Sequence, residues 1–291
     1  MENKIFLIRS LILGTFVLFI ILFGFLSWQN QTSANSGDDL LTVAFLDVGQ
    51  GDAIFIETPD GVQMLIDGGA GNAVLRELSK QMPISDRDLD IVLATHSDKD
   101  HIGGLVDVLE RYEVENIITS NNKNDTTVSE AFDLAVSKEE ADLKMVSTGY
   151  QLALGASTSL MIFSPLGDAS NWETNTASIV AMLRYDDTEF MLTGDAPISI
   201  EEYLVKTYGT DLESEVLKLG HHGSRTSSGE NFLDNVKPKY GIVSAGKDNT
   251  YGHPHSEVVE NLQKRNISIL NTADDGTIVF KSDGNRVWRE E

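Results

Sequence analysis

The sequence predicts an α/β fold built as a layered sandwich, and three observations lead to this class. Strand-like apolar runs alternate with helix-like amphipathic runs in the first half of the chain, and strands dominate after Tyr150. Polar clusters follow several of the predicted strands directly. The 291 residues, 41% of them hydrophobic, can bury a substantial core. We therefore expect ligand-bearing loops to lie along one edge of the layers.

The N-terminal residues predict a membrane anchor. Residues 11–28 are almost wholly apolar, and such a run can just span a bilayer as a helix. Basic residues precede it and acidic residues follow it, which predicts a cytoplasmic N terminus and an extracytoplasmic remainder. A cleaved signal peptide is the alternative, with small residues at 32–34, and the protein would then be secreted. We divide the chain into an N-terminal anchor at 1–28, a linker at 29–39 and a folded domain at 40–291.

Strands and helices are predicted along the folded domain from hydrophobic period and turn residues. Strands are expected at 42–48, 52–57, 62–67, 91–95, 117–120, 143–146, 160–163, 177–184, 189–193, 215–219 and 240–244, with three more near the C terminus. Helices are expected at 72–81, 105–112, 128–137, 198–208 and 256–264. Gly103 and Gly104 are expected to precede the second helix, because glycine favours helix ends over helix interiors.

Charge and cysteine content exclude several kinds of function. The chain has 45 acidic against 22 basic residues, a formal charge of −23, and no cysteine. Disulfides, thiolate metal sites and cysteine nucleophiles are therefore excluded. The negative field opposes broad, non-specific binding of nucleic acid or anionic lipid, but it is compatible with a metal-dependent enzyme that holds one phosphate.

The stretch from Thr95 to Gly104 is the strongest candidate site. His96, Asp98, Asp100 and His101 lie within six residues, directly after the apolar run 91–94. Imidazoles and carboxylates at this density repel one another or lose hydration unless a shared cation satisfies them. We therefore interpret the stretch as part of a metal site rather than as a polar loop before a helix.

Further candidate ligands follow other strands. All six histidines of the chain lie in three clusters, at 96–101, at 221–222 and at 253–255. Asp195 ends an apolar strand and could bridge two cations, with a helix N-cap role as the alternative. Asp67 is interpreted as a turn residue or as an acid that orients a ligand.

His221 and His222 are adjacent and have a glycine on either side. Because adjacent side chains point in different directions, only one of the two is expected to bind metal. We favour His221 as the ligand and expect His222 to contact substrate or another ligand. His253 and His255 are candidate catalytic residues that would hold a phosphate or protonate a leaving group. A Gly/Pro turn with solvated imidazoles is the alternative for this loop.

These motifs together resemble the metallo-β-lactamase superfamily, and most closely the hydrolase domain at the end of ComEC-type competence proteins. The resemblance runs from about Leu41 to the C terminus. It rests on the combination and order of six phrases, FLDVGQGD at 45–52, LIDGG at 65–69, THSDKDHIGG at 95–104, LTGD at 192–195, KLGHHGS at 218–224 and YGHPH at 251–255.

The resemblance implies an αββα four-layer sandwich with two divalent metal ions, Zn or Mn, at one edge. By position, His96 and Asp98 would bind one ion, Asp100, His101 and His221 the other, and Asp195 would bridge them. Asn175 lies where the superfamily has a further histidine, and it would contact metal or substrate, whereas Ser224 would contact substrate or support a ligand. Asp98 replaces a histidine of the usual motif, which shifts the preference of that site from zinc towards manganese or magnesium.

The resemblance further implies a metal-dependent hydrolase, and we expect a phosphodiesterase that acts on a phosphodiester such as DNA. The alternatives are a cell-envelope phosphoesterase acting on teichoic acid or phosphorylcholine esters, and a surface protein that binds a partner without catalysis. A β-lactamase or lactonase fits the ligand pattern less well.

Overall fold

The computed structural model describes residues 40–291. The predicted anchor at 1–28 and linker at 29–39 lie outside the described residues. Within residues 40–291, no helix combines the length and the apolar character needed to cross a bilayer.

The described chain forms strands and helices in the following order. The strands are β1 Leu41–Phe45, β2 Ile54–Glu57, β3 Gln63–Ile66, β4 Asp88–Ala94, β5 Glu113–Thr119, β6 Asp142–Met145, β7 Gln151–Ala153, β8 Thr158–Ser164, β9 Val180–Tyr185, β10 Thr188–Leu192, β11 Val216–Lys218, β12 Tyr240–Val243, β13 Ser268–Asn271, β14 Ile278–Ser282 and β15 Val287–Arg289. The helices are α1 Ala73–Gln81, α2 Lys99–Leu109, α3 Thr127–Val136, α4 Ile198–Tyr208, α5 Glu230–Val236, α6 Ser256–Lys264 and α7 Thr272–Asp275. Two short 3₁₀ turns lie at Gly209–Leu212 and Gly220–Gly223.

The strands form two sheets. The first sheet has the order β15-β14-β1-β2-β3-β4-β5-β6, and the second has the order β13-β12-β11-β10-β9-β8-β7. Each contains a block of parallel strands, β3 to β6 in the first and β10 to β13 in the second. Parallel strands end at a common edge, which is where loops can combine their side chains.

Three apolar clusters hold the layers together. The central cluster lies between the sheets, where Phe280 packs edge-on against Phe45 and Phe190 with ring centroids 6.1 and 6.3 Å apart. A second cluster packs α1, α2 and α3 onto the outer face of the first sheet. A third packs α4, α5 and α6 onto the outer face of the second sheet. The mixed α/β sandwich expected from the sequence is therefore confirmed.

The start of α2 differs from the sequence prediction. The helix begins at Lys99 instead of Leu105, so Gly103 and Gly104 lie inside it. A Cβ atom on Gly104 would come within 2.0 Å of the Gly68 carbonyl oxygen, and one on Gly103 within 2.5 Å of the Ala70 oxygen. The glycines therefore serve close packing of the helix on the loop after β3 and do not mark a helix end.

A buried carboxyl on α4 predicts a pH-dependent stability. Glu201 accepts backbone N–H bonds from Ser228 at 2.6 Å and Gly229 at 2.8 Å. Burial outweighs these bonds and raises the pKa of Glu201 from 4.5 to about 7. Because the folded state then binds the proton more tightly than the unfolded state, this contribution to stability is complete below about pH 4.5 and is lost as the pH rises through 7.

The unfolding free energy of the wild type is expected to decline by about 3 kcal/mol between pH 4.5 and pH 7, and Glu201→Gln should remove this decline. Urea denaturation across the pH series measures it. The exposed neighbour Glu202 provides the control, since its charge makes the smallest contribution to the pKa of Glu201 and Glu202→Gln should keep most of the decline. Equal slopes in the wild type and Glu201→Gln would contradict the assignment.

Candidate metal centre

The candidate residues meet at the edge where the parallel strands end. Asp67 follows β3, and the stretch from His96 to His101 covers the end of the turn after β4 and the first residues of α2. Asp195 follows β10 in the second sheet, and His221 and His222 follow β11. The two sheets therefore each contribute side chains to one site, from positions up to 155 residues apart in the chain.

Asp67 fixes the geometry of the first-sheet residues. Its Oδ1 accepts the backbone N–H of Thr95 at 2.8 Å, and its Oδ2 accepts the Thr95 hydroxyl at 2.7 Å. The same Oδ2 lies 2.7 Å from Nδ1 of His101. This contact directs Nε2 of His101 towards Asp195, whose Oδ1 is 3.3 Å away. Asp67 therefore orients a candidate ligand, which is one of the two roles that its sequence position suggested.

His96 and Asp98 form a neighbouring subsite. Nε2 of His96 lies 3.7 Å from Oδ2 of Asp98, and its Nδ1 faces the hydroxyl of Ser178 at 3.3 Å. The two oxygens of Asp98 accept hydrogen bonds from Asn124 at 3.2 Å and Thr174 at 3.0 Å. The carboxylate that replaces the usual histidine is thus held in place from two sides.

Asp195 lies at the centre of the group. It follows Gly194, whose φ of +50° turns the chain sharply. Helix α4 begins three residues later with Pro197 at its N-cap position, so Asp195 is not the cap. Oδ2 of Asp195 lies 3.5 Å from Nε2 of His222 and 3.8 Å from Nε2 of His221. Its two oxygens therefore face histidines from both sheets, as a bridging carboxylate would.

The two adjacent histidines have different surroundings. Both have left-handed backbone conformations, with φ of +49° and +56°, which is costly for residues other than glycine and typical of functional turns. His222 is buried, with Nε2 3.3 Å from Oδ2 of Asp100. The side chain of His221 is 28% exposed, and its Nδ1 contacts the Thr226 hydroxyl at 3.1 Å. The geometry favours His222 as the ligand, whereas the sequence favoured His221.

Asn175 and Ser224 lie on the His221 side of the site. Nδ2 of Asn175 is 3.5 Å from Nδ1 of His221, and its buried Oδ1 has no hydrogen-bond partner among the described residues. Oγ of Ser224 accepts the hydroxyl of Thr226 at 3.0 Å, so it supports the residue that contacts His221.

Two residues that the sequence did not single out lie beneath His222. Oδ1 of Asp52 is 3.2 Å from Nδ1 of His222 and 2.8 Å from Nζ of Lys218. Lys218 is fully buried and also donates to the Leu219 carbonyl at 2.8 Å. The sequence signal that could have identified this pair was Lys218 at the end of an apolar strand, because a buried ammonium group requires an acid beside it.

His253 and His255 lie at the margin. The ring centroid of His253 is 5.5 Å from that of His221 and 6.1 Å from that of His222. His255 is further out, where its Nδ1 accepts the backbone N–H of Arg225 at 3.1 Å. Burial and the neighbouring histidines lower the pKa of His253 to about 4, so this imidazole is neutral at neutral pH.

The central side chains have the composition and the unused ligand atoms that a cation requires. One ligand atom from each of Asp52, His101, Asp195 and His222 lies within 4.8 Å of the others. Nε2 of His96, His101 and His222 and Oδ1 of Asp195 are buried without a hydrogen-bond partner among residues 40–291. Buried polar atoms that converge without partners mark a place where a cation can bind. The residues present therefore fit a metal centre of nitrogen and oxygen ligands.

The electrostatics support the same conclusion. Burial acts to raise the pKa of Asp195, but attraction to His222 and His101 outweighs it and holds that pKa well below its usual range. Burial acts in the opposite direction on His222, whose pKa is nevertheless raised to about 9 by Asp195, Asp100 and Asp52. The site thus attracts positive charge, which bound cations supply in exchange for protons.

The chain belongs to the metallo-β-lactamase superfamily, whose family model matches residues 46–247. Among curated proteins it is similar to ComE operon protein 3 of Bacillus subtilis, at 30% identity over 82% of this chain and 33% of the relative. It is also similar to Recombination protein 2 of Haemophilus influenzae, at 31% identity over 80% of this chain and 28% of the relative. The chain thus spans about a third of the length of these relatives. The resemblance to ComEC-type competence proteins is confirmed.

Solved structures confirm the fold. A metallo hydrolase from Ignicoccus hospitalis superposes with a TM-score of 0.54 at 15% identity, over 82% of this chain and 98% of that one. The metallo-β-lactamase fold protein YhfI from Bacillus subtilis gives 0.55 at 13% identity, over 84% and 100%. The diiron β-hydroxylase CmlA from Streptomyces venezuelae gives 0.54 at 14% identity, over 86% and 54%. The superfamily and the site support a metal-dependent hydrolase.

Proposed function

We propose that this protein is an exported, membrane-anchored phosphodiesterase that uses two divalent cations. The observation that carries the proposal is the convergence of unpaired histidine nitrogens from both sheets on Asp195. The similarity to competence proteins supports DNA as the substrate. The apolar run at 11–28 supports anchoring at the cell membrane, with release into the medium if that segment is cleaved.

The proposed ligand sets follow the two subsites. His96 and Asp98 would hold one cation, Asp100, His101 and His222 would hold the other, and Asp195 would supply a carboxylate to both. Asp98 makes the first subsite richer in oxygen, which favours manganese over zinc there. Asp52 is assigned to orienting His222, because Lys218 already neutralises its carboxylate at 2.8 Å.

The proposed reaction is hydrolysis of a phosphodiester. When bound, the cations supply Lewis acidity towards a phosphoryl oxygen and lower the pKa of water near it. Asp100 orients the attacking water, because its carboxylate is 30% exposed while His101, Asp195 and His222 beside it are buried. His253 and His255 lie beyond His221, where they can contact the leaving oxygen, and the neutral imidazole of His253 can donate a hydrogen bond to it.

Metal content tests the centre directly. The full chain is expected to retain up to two divalent ions, Zn or Mn, after loading and dialysis, as measured by elemental analysis. Asp195→Asn should lower that number, because one carboxylate faces both subsites. Protein that retains no metal, both as purified and after loading with Mn or Zn, would disprove the enzyme proposal.

A substrate screen tests the reaction class. The metal-loaded chain should hydrolyse single-stranded DNA or a chromogenic phosphodiester, and it should not hydrolyse nitrocefin. Hydrolysis of a phosphorylcholine ester alone would favour the cell-envelope phosphoesterase alternative. Inactivity on all four substrates at full metal occupancy would favour a binding protein, with which the acidic surface is compatible.

A further inference from the structure

The loop that follows β12 carries an exposed aromatic ring beside the metal centre. The side chain of Tyr251 is 65% exposed. Its ring stacks on His253 with a centroid distance of 5.6 Å and an interplanar angle of 20°. His253 in turn lies 6.1 Å from His222 at 37°. Three rings thus lead outwards from the candidate metal centre to solvent, and the last one, Tyr251, is mostly exposed.

The loop is held rigidly against the site. Asn249 donates to the carbonyls of Gly246 and His253 at 2.8 Å each and accepts the His253 backbone N–H at 2.8 Å. The backbone N–H of His255 donates to the Gly223 carbonyl at 3.0 Å. A Cβ atom on Gly223 would lie 2.7 Å from Cβ of Pro254, so glycine there permits the close approach. The loop backbone is therefore held on both sides of Tyr251, which lowers the entropy cost of stacking.

A cationic side chain lies on the same margin. Arg225 is 62% exposed and contacts Nε2 of His255 at 3.3 Å. Its ion pair with Glu257 is long, at 3.7 Å, and both partners are exposed, so water screens the pair and it is weak. A phosphate can therefore replace Glu257 as the partner of Arg225. The net charge of the chain is −23, so the guanidinium of Arg225 beside the site provides a local positive contact for an anion.

We propose that Tyr251 and Arg225 form a binding ledge for single-stranded nucleic acid, in which Tyr251 stacks on a base and Arg225 contacts a backbone phosphate. The proposal rests on the proposed phosphodiesterase function and names its substrate class. Base–aromatic stacking is available to an unpaired base, whereas the faces of bases within a duplex are covered by their neighbours. A polymer of sugar or polyol phosphates has no base and would use Arg225 alone.

Binding of two matched polymers by the full chain tests the ledge. One is a short fluorescent oligothymidylate, and the other is an oligonucleotide of the same length without bases. Binding is measured by fluorescence anisotropy in the presence of Ca²⁺, a cation that takes oxygen ligands. A gel verifies that the polymer has not been hydrolysed during the measurement. The wild type should bind the thymidylate about tenfold more tightly, and Tyr251→Ala should remove that preference. Tyr251→Phe should restore it, because the phenyl ring keeps the stacking face.

The other variants separate stacking from charge. Arg225→Gln should weaken the binding of both polymers and lower the slope of log affinity against log salt by about one. Tyr203→Ala, which removes a partly exposed tyrosine on α4, should have no effect. Equal affinity of the wild type for the two polymers, no binding of either, or a Tyr251→Phe variant as weak as Tyr251→Ala would overturn the ledge. Hydrolysis of a chromogenic phosphodiester by the same wild-type sample separately decides whether the phosphodiesterase proposal holds.

Discussion

Asp100→Ala is expected to abolish hydrolysis, whereas Lys99→Ala is expected to leave it within about twofold. Asp100 faces Nε2 of His222 at 3.3 Å, and the pKa of its carboxyl is held below its usual range, because His222 and His101 outweigh the effect of burial. Removing it takes away one anionic ligand and the group that orients water. Loss of a residue that merely supports a ligand costs about 10- to 100-fold, so loss of Asp100 should cost more than about 100-fold.

Steady-state kinetics on a chromogenic phosphodiester, together with metal content, measure this effect. Lys99 is the matched control, since it is adjacent in the chain and exposed. The carbonyl of Asp100 that accepts the Asp52 N–H at 3.2 Å remains in the alanine variant, so thermal unfolding should change little. Comparable activity losses in the two variants would refute the role of Asp100.

Lys218→Met is expected to destabilise the fold by about 3–5 kcal/mol. The substitution leaves the Asp52 carboxylate buried without its cation. Burial alone acts to raise the pKa of Asp52, and Lys218 is the first of the groups that lower it. Urea unfolding of the metal-free chain gives the loss of unfolding free energy without a contribution from bound metal.

A second substitution provides the control for Lys218. Lys218→Met combined with Asp52→Asn removes the unpaired charge and should recover more than about half of the lost stability. The double variant should still bind metal more weakly than the wild type, because the neutral amide of asparagine holds His222 less strongly than a carboxylate does. If the single variant were as stable as the wild type, the buried pair would have no structural role.

The sequence predicted the elements whose pattern is local. Helices α4 and α6 were predicted with the bounds that the structure shows, because their apolar periodicity is undisturbed. The start of α2 was wrong because the glycines at 103 and 104 are explained by packing against Gly68 and Ala70, which no local pattern reveals. The short α5 was not predicted, since two turns carry little periodic signal.

The sequence predicted most of the side chains that meet at this edge, but neither their geometry nor the buried pair of Asp52 and Lys218. Clustering of all six histidines identified the edge of the sheets, and the motif order indicated the family. The choice between His221 and His222 depends on two successive left-handed residues and on Asp52, which is 170 residues away. Sequence spacing says nothing of that orientation, and the assignment of each metal ligand stays a prediction for the variants above to test.

Both sheets contribute side chains to one group of candidate ligands, so a bound cation would join the two sheets. A cation held jointly by His101 and Asp195 is a cross-link between chain segments 94 residues apart. Because it binds the closed arrangement and not the separated halves, occupancy adds to the folding free energy, by about 2.7 kcal/mol at a free metal concentration 100 times the dissociation constant. The resistance of this protein to unfolding and proteolysis would then depend on the supply of metal around it.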